Sequence, residues 1–173
     1  MIRRAQAQDL DDVAEVLAEA AVWLGSQGLD QWQYPVRREQ VAESISRGEC
    51  YIATSGHNGR GSEVLATITI DDHADPEFWS PEDGPDEALY VHRLAVRRSA
   101  AGRELGAYLL DWAGGHAYAA GKKWLRLDAW RSNPGLLDYY AQRGWQHVRT
   151  VELGHRKSGA LFQRRAVADG SDC

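Results

Sequence analysis

Cysteine is scarce in this sequence, which has only Cys50 and Cys173, far apart in a chain of 173 residues. Two such residues predict neither a disulfide framework nor a cysteine-based metal site, and we expect both to be free thiols. No apolar run reaches the roughly 20 residues that span a bilayer. The N-terminal stretch MIRRAQAQDLDD also lacks the apolar segment of a signal peptide. We therefore expect a cytoplasmic protein without a membrane partner.

An excess of positive charge is also missing, since the formal net charge is −5 at pH 7. This balance argues against a general nucleic-acid-binding protein, which needs a basic face against the phosphates. The charge is uneven: residues 71–87 include eight acidic side chains and no Lys or Arg, whereas residues 143–165 are mainly basic. The acidic stretch is either a solvated loop or a surface that attracts a cationic substrate. We expect no metal site there, because contiguous acids with one His in a loop are usually only solvated.

The predicted secondary structure indicates one α/β domain over residues 1–167, followed by a flexible tail over residues 168–173. A hydrophobic fraction of 43% is enough for the core of such a domain. Helical spacing of apolar residues predicts four helices, two of which have Asp9 and Asn133 as candidate N-caps. Runs of β-branched or alternating residues predict about seven strands, and SGHNGRGS suits the turn of an antiparallel hairpin. This pattern predicts a mixed sheet with helices on its faces.

One junction, LAVRRSAAGRELGAYLLDWA (residues 94–113), joins a strand to a helix through a short turn that contains glycine. The first N–H groups of such a helix have no intrahelical partner, and the helix dipole adds partial positive charge, so an anion such as phosphate can bind there. Gly102 and Gly106 allow close approach of the main chain, while Arg97, Arg98 and Arg103 add positive charge. The turn is neither a P-loop nor the G-x-G-x-x-G of a dinucleotide fold.

This junction, followed by NPGLLDYYAQRGW with its spacing of Asn133, Tyr140, Gly144 and Trp145, resembles the GCN5-related N-acetyltransferase (GNAT) superfamily. The resemblance covers nearly the whole chain in the order of elements. It implies a twisted, mostly antiparallel sheet with strands that splay apart at the acyl-coenzyme A site. It also implies transfer of an acetyl group from acetyl-CoA to a primary amine by direct attack in a ternary complex, and a homodimer is common among similar proteins.

The resemblance also implies roles for individual residues. The pantetheine arm is expected to pair with the backbone of Leu94, Ala95 and Val96. The pyrophosphate is expected to bind to the turn formed by Ala101, Gly102, Arg103, Glu104, Leu105, Gly106 and Ala107. Asn133 is expected near the pantetheine, and Tyr140 near the thioester sulfur as the general acid that protonates the leaving thiolate. The family's turn usually begins with Gln or Arg and has another Gly in its middle, where this chain has Ala101 and Glu104.

The acceptor amine must lose a proton before it attacks, and His92 on the strand before the turn is our candidate base. Glu87, at the beginning of that strand, and Asp128, on the adjacent strand, are further polar candidates. The alternative for His92 is a histidine that only hydrogen-bonds to its neighbours.

Aromatic rings beside carboxylates suit a small cationic amine, and the candidate acceptor-binding residues are Trp23, Asp30, Trp32, Trp79 and Asp128. The alternative is that these tryptophans simply pack the domain. Two other functions remain open: a non-catalytic acyl-CoA-binding or regulatory module, and acetylation of a protein or peptide amine.

Overall fold

The computed structural model describes residues 1–56 and 62–168. Those residues form four α-helices and seven strands. In chain order the elements are β1 (Ile2–Arg4), α1 (Leu10–Ser26), α2 (Arg38–Ser46), β2 (Cys50–Thr54), β3 (Val64–Asp71), β4 (Ala88–Val96), α3 (Leu105–Ala119), β5 (Trp124–Trp130), α4 (Pro134–Gln142), β6 (Gln146–Thr150) and β7 (Ser158–Arg165). They are divided between two compact units, and the chain passes from one unit to the other at the end of β3 and within β4 and α3.

The first unit comprises residues 1–70 and 93–109. Its strands pair antiparallel in the order β1, β2, β3, as the sequence predicts for the two strands on either side of the SGHNGRGS turn. Residues 57–61 of that predicted turn lie outside the described residues. The apolar faces of α1 and α2 pack on this layer around Val16, Val41 and Ile52. Cys50 is a buried free thiol in the same core, and burial raises its pKa.

Asp9 stands at the N-cap position of α1, but its carboxylate does not cap that helix. It accepts hydrogen bonds from the backbone N–H of Gln6 at 2.7 Å and from both terminal nitrogens of Arg3 at 2.7 and 2.9 Å. The side chain therefore closes the short 3₁₀ turn before α1 and fixes β1 to it. The expectation that Asp9 caps the helix itself is corrected in this detail.

The second unit comprises residues 71–92 and the chain from residue 110 onward. Here β4 pairs parallel with β5, with Ala88 opposite Trp124 and Val91 opposite Leu127. Strand β7 runs antiparallel to both β5 and β6. Phe78, Trp79, Tyr90 and Leu161 form the core of this unit. The acidic stretch thus contributes two large aromatic rings to a hydrophobic core.

The predicted fold class is confirmed: the sheet has seven strands, most of them antiparallel, and is accompanied by four α-helices. Helix α3 begins at Leu105, since the preceding residues form the turn. Residues 169–173 of the predicted tail, including Cys173, lie outside the described residues, and the single domain over residues 1–167 stays a prediction. Within the part of the chain that the structure describes, no helix is long and apolar enough to cross a membrane.

Candidate functional site

The turn between β4 and α3 has two residues in the left-handed region of backbone conformation. Gly102 has φ +76°, and Glu104 has φ +54°. No atom lies within 4 Å of where a Cβ on Gly102 would stand, so the backbone conformation, and not lack of space, favours glycine there. Glu104 adopts the same kind of conformation with a side chain, which is uncommon outside glycine, Asn and Asp. This residue stands where the GNAT pattern usually has glycine.

Most N–H groups of this turn make no hydrogen bond to a backbone carbonyl of the described residues. Among the described residues, the N–H groups of Gly102, Arg103, Leu105, Gly106 and Ala107 donate to no backbone carbonyl, and the first such bond of the helix is from Tyr108 to the carbonyl of Glu104 at 2.9 Å. Residues 101–104 are exposed. Consecutive N–H groups around left-handed residues at a helix N-terminus form a concave anion-binding surface.

The three arginines that the sequence places around this turn differ in what they can contribute. Arg97 is mostly buried, donates to the carbonyl of Val64 at 2.7 Å, and pairs with Glu15 at 2.8 Å. The guanidinium of Arg98 lies over the ring of Trp23, with its carbon 4.2 Å from the ring centroid. Arg103 is exposed and has no ion pair with the residues that the structure describes. The expectation that Arg97 adds free charge to the turn is therefore wrong, because acidic side chains of its own unit neutralise it.

Tyr140 lies in the second unit, on α4, and is 6% exposed. Its ring is surrounded by Tyr139, Trp145 and Phe162, at centroid distances of 5.5, 5.6 and 5.5 Å. Burial raises the pKa of the Tyr140 phenol well above its usual value, with smaller contributions from Tyr139 and Asp128. Among the described residues, none hydrogen-bonds to this hydroxyl. Burial thus keeps the phenol protonated.

Asn133 begins α4, and its side-chain oxygen accepts the N–H of Leu136 at 3.1 Å. The prediction of Asn133 as an N-cap is confirmed. Asp128 lies on β5, directly after the Leu127 that pairs with Val91, and is half-buried. Its charge acts on the phenol of Tyr140. The second unit therefore holds Asn133, Tyr140 and Asp128, while the turn at residues 101–107 belongs to the first.

His92, the candidate base, is paired with a carboxylate that the sequence did not single out. Its Nε2 lies 3.1 Å from Oδ2 of Asp71, the last residue of β3, and the two side chains are 33% and 14% exposed. Burial would raise the pKa of Asp71, but the hydrogen bond and charge of His92, with the N–H of His73, lower it below its usual value. The acidic run containing Asp71 was visible in the sequence, but nothing in it indicated this partner.

Glu87 is separated from His92 by most of a strand. The two residues are five positions apart, which corresponds to roughly 16 Å of extended chain. The carboxylate of Glu87 lies instead 3.6 Å from Nζ of Lys123 and is 54% exposed. The structure therefore does not bring Glu87 and His92 together at one reacting nitrogen.

The predicted acceptor-binding residues fall into two groups. Trp23, Asp30 and Trp32 belong to the first unit, where Trp23 is 37% exposed, Asp30 is exposed and Trp32 is half-buried against the core. Trp32 also has a left-handed φ of +58°, which is unusual for so bulky a residue. Trp79 belongs to the second unit and is only 4% exposed, so little of its ring is available to a ligand.

Four of the eight acidic side chains in the stretch 71–87 pair with Lys or Arg of their own unit. Arg149 binds both carboxylate oxygens of Asp83, at 3.0 and 2.6 Å, and donates to the carbonyl of Phe78 at 2.6 Å. Arg156 pairs with Asp75 and Glu77. The uneven charge of the sequence is thus offset in part by pairing. Asp72, Glu82 and Asp86 are exposed, and both interpretations of the stretch, a solvated loop or a surface that attracts a cationic substrate, stay predictions.

Arg126 on β5 is a buried arginine that hydrogen-bonds to this segment, and the sequence analysis did not single it out. It is 3% exposed and donates to the carbonyls of Asp83 at 2.6 Å and Gly84 at 3.3 Å. Its guanidinium carbon lies 4.7 Å from the centroid of Trp79. In the sequence of β5, Arg126 is one of several side chains that alternate with apolar residues. Its burial is visible only in the three-dimensional structure. The described residues contain no cluster of His, Cys, Asp or Glu that could hold a metal ion.

The fold, a mostly antiparallel seven-stranded sheet with helices, is similar to that of solved GNAT-family acetyltransferases. A GNAT-family acetyltransferase from Listeria monocytogenes has a TM-score of 0.76 to this chain, with 20% sequence identity, and the match covers 95% of this chain and 94% of that one. The PaiA N-acetyltransferase of Thermoplasma acidophilum, solved in complex with coenzyme A, has a TM-score of 0.71, with 18% identity and coverage of 95% and 98%.

In sequence, the chain is 26% identical over 165 residues to YesJ of Bacillus subtilis (strain 168), which is named an uncharacterized N-acetyltransferase. This match covers 94% of the chain and 88% of that protein. No family model matches the sequence. The likenesses confirm the predicted resemblance to the GNAT superfamily and, with it, the predicted class of enzyme, an acyltransferase.

Proposed function

We propose that this protein transfers the acetyl group of acetyl-CoA to a primary amine of a small cationic molecule, by direct attack in a ternary complex. The observation that carries the proposal is the turn at residues 101–107, where left-handed residues and N–H groups without backbone acceptors precede α3. A diphosphate is the anion that such a turn accommodates. The neighbour from Thermoplasma acidophilum was solved with coenzyme A, which supports the same ligand here.

The donor is held by backbone groups and one free cation in this proposal. The N–H groups between Gly102 and Ala107 bind the pyrophosphate, and Arg103 adds a charge-assisted contact from the exposed side of the turn. Leu94, Ala95 and Val96 pair with the pantetheine arm as an added strand. Asn133 contributes near the pantetheine, and Ala101 contributes only its backbone.

Two side chains move protons during the transfer. His92 removes a proton from the ammonium group, and the nitrogen lone pair then attacks the carbonyl carbon of the thioester. A carbon–nitrogen bond forms as the carbon–sulfur bond breaks, and Tyr140 donates its proton to the leaving thiolate. The second proton, which the nitrogen loses on becoming an amide, returns the Tyr140 phenolate to the phenol. The raised pKa of Tyr140 keeps the phenol protonated before the reaction, and it also makes the phenol a weaker acid towards a thiolate. Glu87 is the less favoured base, since it faces Lys123.

The acceptor is assigned to the α1–α2 region of the first unit. Trp23 and Trp32 offer aromatic faces and Asp30 a carboxylate, which together suit an ammonium group. The left-handed conformation of Trp32 supports a functional loop, because strained backbone is concentrated at functional sites. Asp128 is a second candidate carboxylate, whereas the burial of Trp79 favours a structural role for that ring.

Calorimetric titration with acetyl-CoA tests the donor part of the proposal. We expect micromolar binding by the wild type and loss of binding in Gly106→Trp, which places a large side chain in the first turn of α3. Gly154→Trp is the matched control, because Gly154 is exposed and has open space around its Cβ position. Equal binding by all three proteins would place coenzyme A elsewhere.

A panel of primary amines, followed by detection of the free thiol of coenzyme A, tests the acceptor part. The panel contains diamines, aromatic amines, amino acids and a lysine-containing peptide. We expect turnover to be highest with a small cationic amine. Turnover with the peptide alone would replace the small acceptor with a protein or peptide amine, and tight coenzyme A binding with no turnover would make the protein a non-catalytic binding module.

A further inference from the structure

The carboxylate of Asp71 is held in a fixed orientation beside the ring of His92. Its Oδ1 accepts the backbone N–H of His73 at 2.9 Å, and its Oδ2 lies 3.1 Å from Nε2 of His92. The side chain of Asp71 is only 14% exposed. Both residues belong to the second unit, and neither the sequence pattern nor the likeness to GNAT proteins assigns a function to Asp71.

A carboxylate at this place determines which nitrogen of the imidazole carries the proton. An ionised carboxylate accepts hydrogen bonds and cannot donate them, so the neutral ring places its proton on Nε2 and its lone pair on Nδ1. A histidine whose tautomer and orientation are fixed by a carboxylate is a better-defined proton acceptor than one on an unsupported side chain.

We propose that Asp71 is a positioning residue for the acetyl-transfer reaction, which fixes His92 with Nδ1 as the atom that accepts the proton of the acceptor amine. This inference rests on the proposed function and names a component of it that acts through His92 and does not touch the substrate.

The acceptor nitrogen loses two protons in forming an amide, and His92 takes the first of them. The ammonium group of the acceptor gives one proton to Nδ1 of His92, and the freed lone pair attacks the thioester carbonyl. The imidazolium that forms is stabilised by the Asp71 carboxylate, which stays ionised, and releases its proton to solvent when the neutral ring returns. His73 adjoins this pair through its N–H and its charge, and Asp128 stands one position beyond the end of the β4–β5 register.

The pH dependence of kcat/KM distinguishes positioning from simple structural support. Asp71→Asn keeps an acceptor for Nε2 but removes the charge that favours imidazolium. We therefore expect the acidic limb of the profile to move down by about one pH unit, because an opposite charge at this distance shifts a titration by about 1–3 units. Asp72→Asn is the matched control: its partner His73 is 3.7 Å away, and both side chains are about two-thirds exposed. In this control variant, the acidic limb of the pH profile of kcat/KM should stay where it is in the wild type.

A double-mutant cycle measures whether Asp71 acts through His92. Asp71→Ala alone should lower kcat/KM on the order of tenfold, and His92→Gln alone about 100-fold or more. In the His92→Gln background, Asp71→Ala should have almost no further effect. Additive losses in the double variant would overturn the inference.

Nitrogen NMR of the wild-type imidazole, with His92 assigned by His92→Gln, gives a readout that needs neither turnover nor a folded Asp71 variant. We expect the neutral ring to be the Nε2–H tautomer, and an Nδ1–H tautomer would overturn the inference. If the wild type transfers acetyl groups but the limb stays unmoved in Asp71→Asn, only the role of Asp71 fails. If the wild type transfers to no amine, the proposed function fails together with it.

Discussion

Arg149 on β6 forms a bidentate ion pair with Asp83, in which Nη1 donates to Oδ1 at 3.0 Å and Nη2 donates to Oδ2 at 2.6 Å. The same Nη2 donates to the carbonyl of Phe78 at 2.6 Å, and Nη2 of Arg126 donates to the carbonyl of Asp83 at 2.6 Å. Bidentate pairs of this kind are stronger and more directional than single contacts. The two arginines thus fix the segment between β3 and β4 to the sheet of the second unit.

The Asp83–Arg149 pair makes stability depend on pH in the acid range. The hydrogen bond from Arg149 is the main reason that the pKa of Asp83 is lowered from 3.8 to about 2, against the opposing effect of burial. Because the folded-state pKa is the lower one, the pair stabilises the protein above about pH 4 and loses this contribution as the pH falls towards 2. With allowance for solvent screening, we expect Asp83→Asn to lower the free energy of unfolding by about 1–2 kcal/mol at neutral pH.

Urea denaturation at pH 7 and at pH 3 measures this effect. The difference between Asp83→Asn and the wild type should shrink at the lower pH. Asp86→Asn removes an exposed carboxylate of the same segment and should have little effect at either pH. If Asp83→Asn loses the same stability at both pH values, Asp83 stabilises the protein through the hydrogen bonds of its turn and not through its charge.

Tyr140→Phe should lower kcat by about 100-fold and leave coenzyme A affinity within about twofold, since only the proton of the general acid is removed. Stability should change little, because the hydroxyl has no hydrogen-bond partner among the described residues while the ring keeps its contacts with Trp145 and Phe162. Steady-state kinetics and calorimetry on one preparation check both parts. Tyr139→Phe is the natural control, and equal losses of kcat and affinity in Tyr140→Phe would make that residue a packing or binding residue.

Arg103→Gln should weaken coenzyme A binding by roughly threefold to fivefold and reduce its dependence on salt, because an exposed charge–phosphate contact is worth about 1 kcal/mol or less. Calorimetry at two salt concentrations provides the measurement. Arg47→Gln removes an exposed arginine that directly follows α2 in the same unit, where it pairs with Glu43, and should change neither quantity. If Arg103→Gln binds coenzyme A as the wild type does, the backbone N–H groups alone hold the diphosphate.

The fold could be predicted from the sequence because its signals are local. Apolar periodicity, β-branched runs and glycines such as Gly48, Gly121 and Gly144, all with positive φ, mark where helices and strands begin and end. The contacts of the candidate site are not local. The pairing of His92 with Asp71, the neutralisation of Arg97 by Glu15 and the burial of Trp79 each join residues far apart in the chain. No pattern in the sequence determines which acid meets which base.

Glu104 combines two unfavourable features that one substitution removes. Its left-handed backbone, φ +54°, costs a non-glycine residue about 1 kcal/mol, and its carboxylate stands in the turn proposed to bind a diphosphate. Glu104→Gly should therefore raise the free energy of unfolding by up to about 1 kcal/mol, less the entropy that glycine loses on folding, and tighten acetyl-CoA binding severalfold. Glu104→Gln separates the two effects, since it removes the charge and retains the strain: it should tighten binding without stabilising the protein. Thermal unfolding and calorimetry on the three proteins give both quantities, and weaker binding by both variants would show that the carboxylate is itself a required contact of the turn.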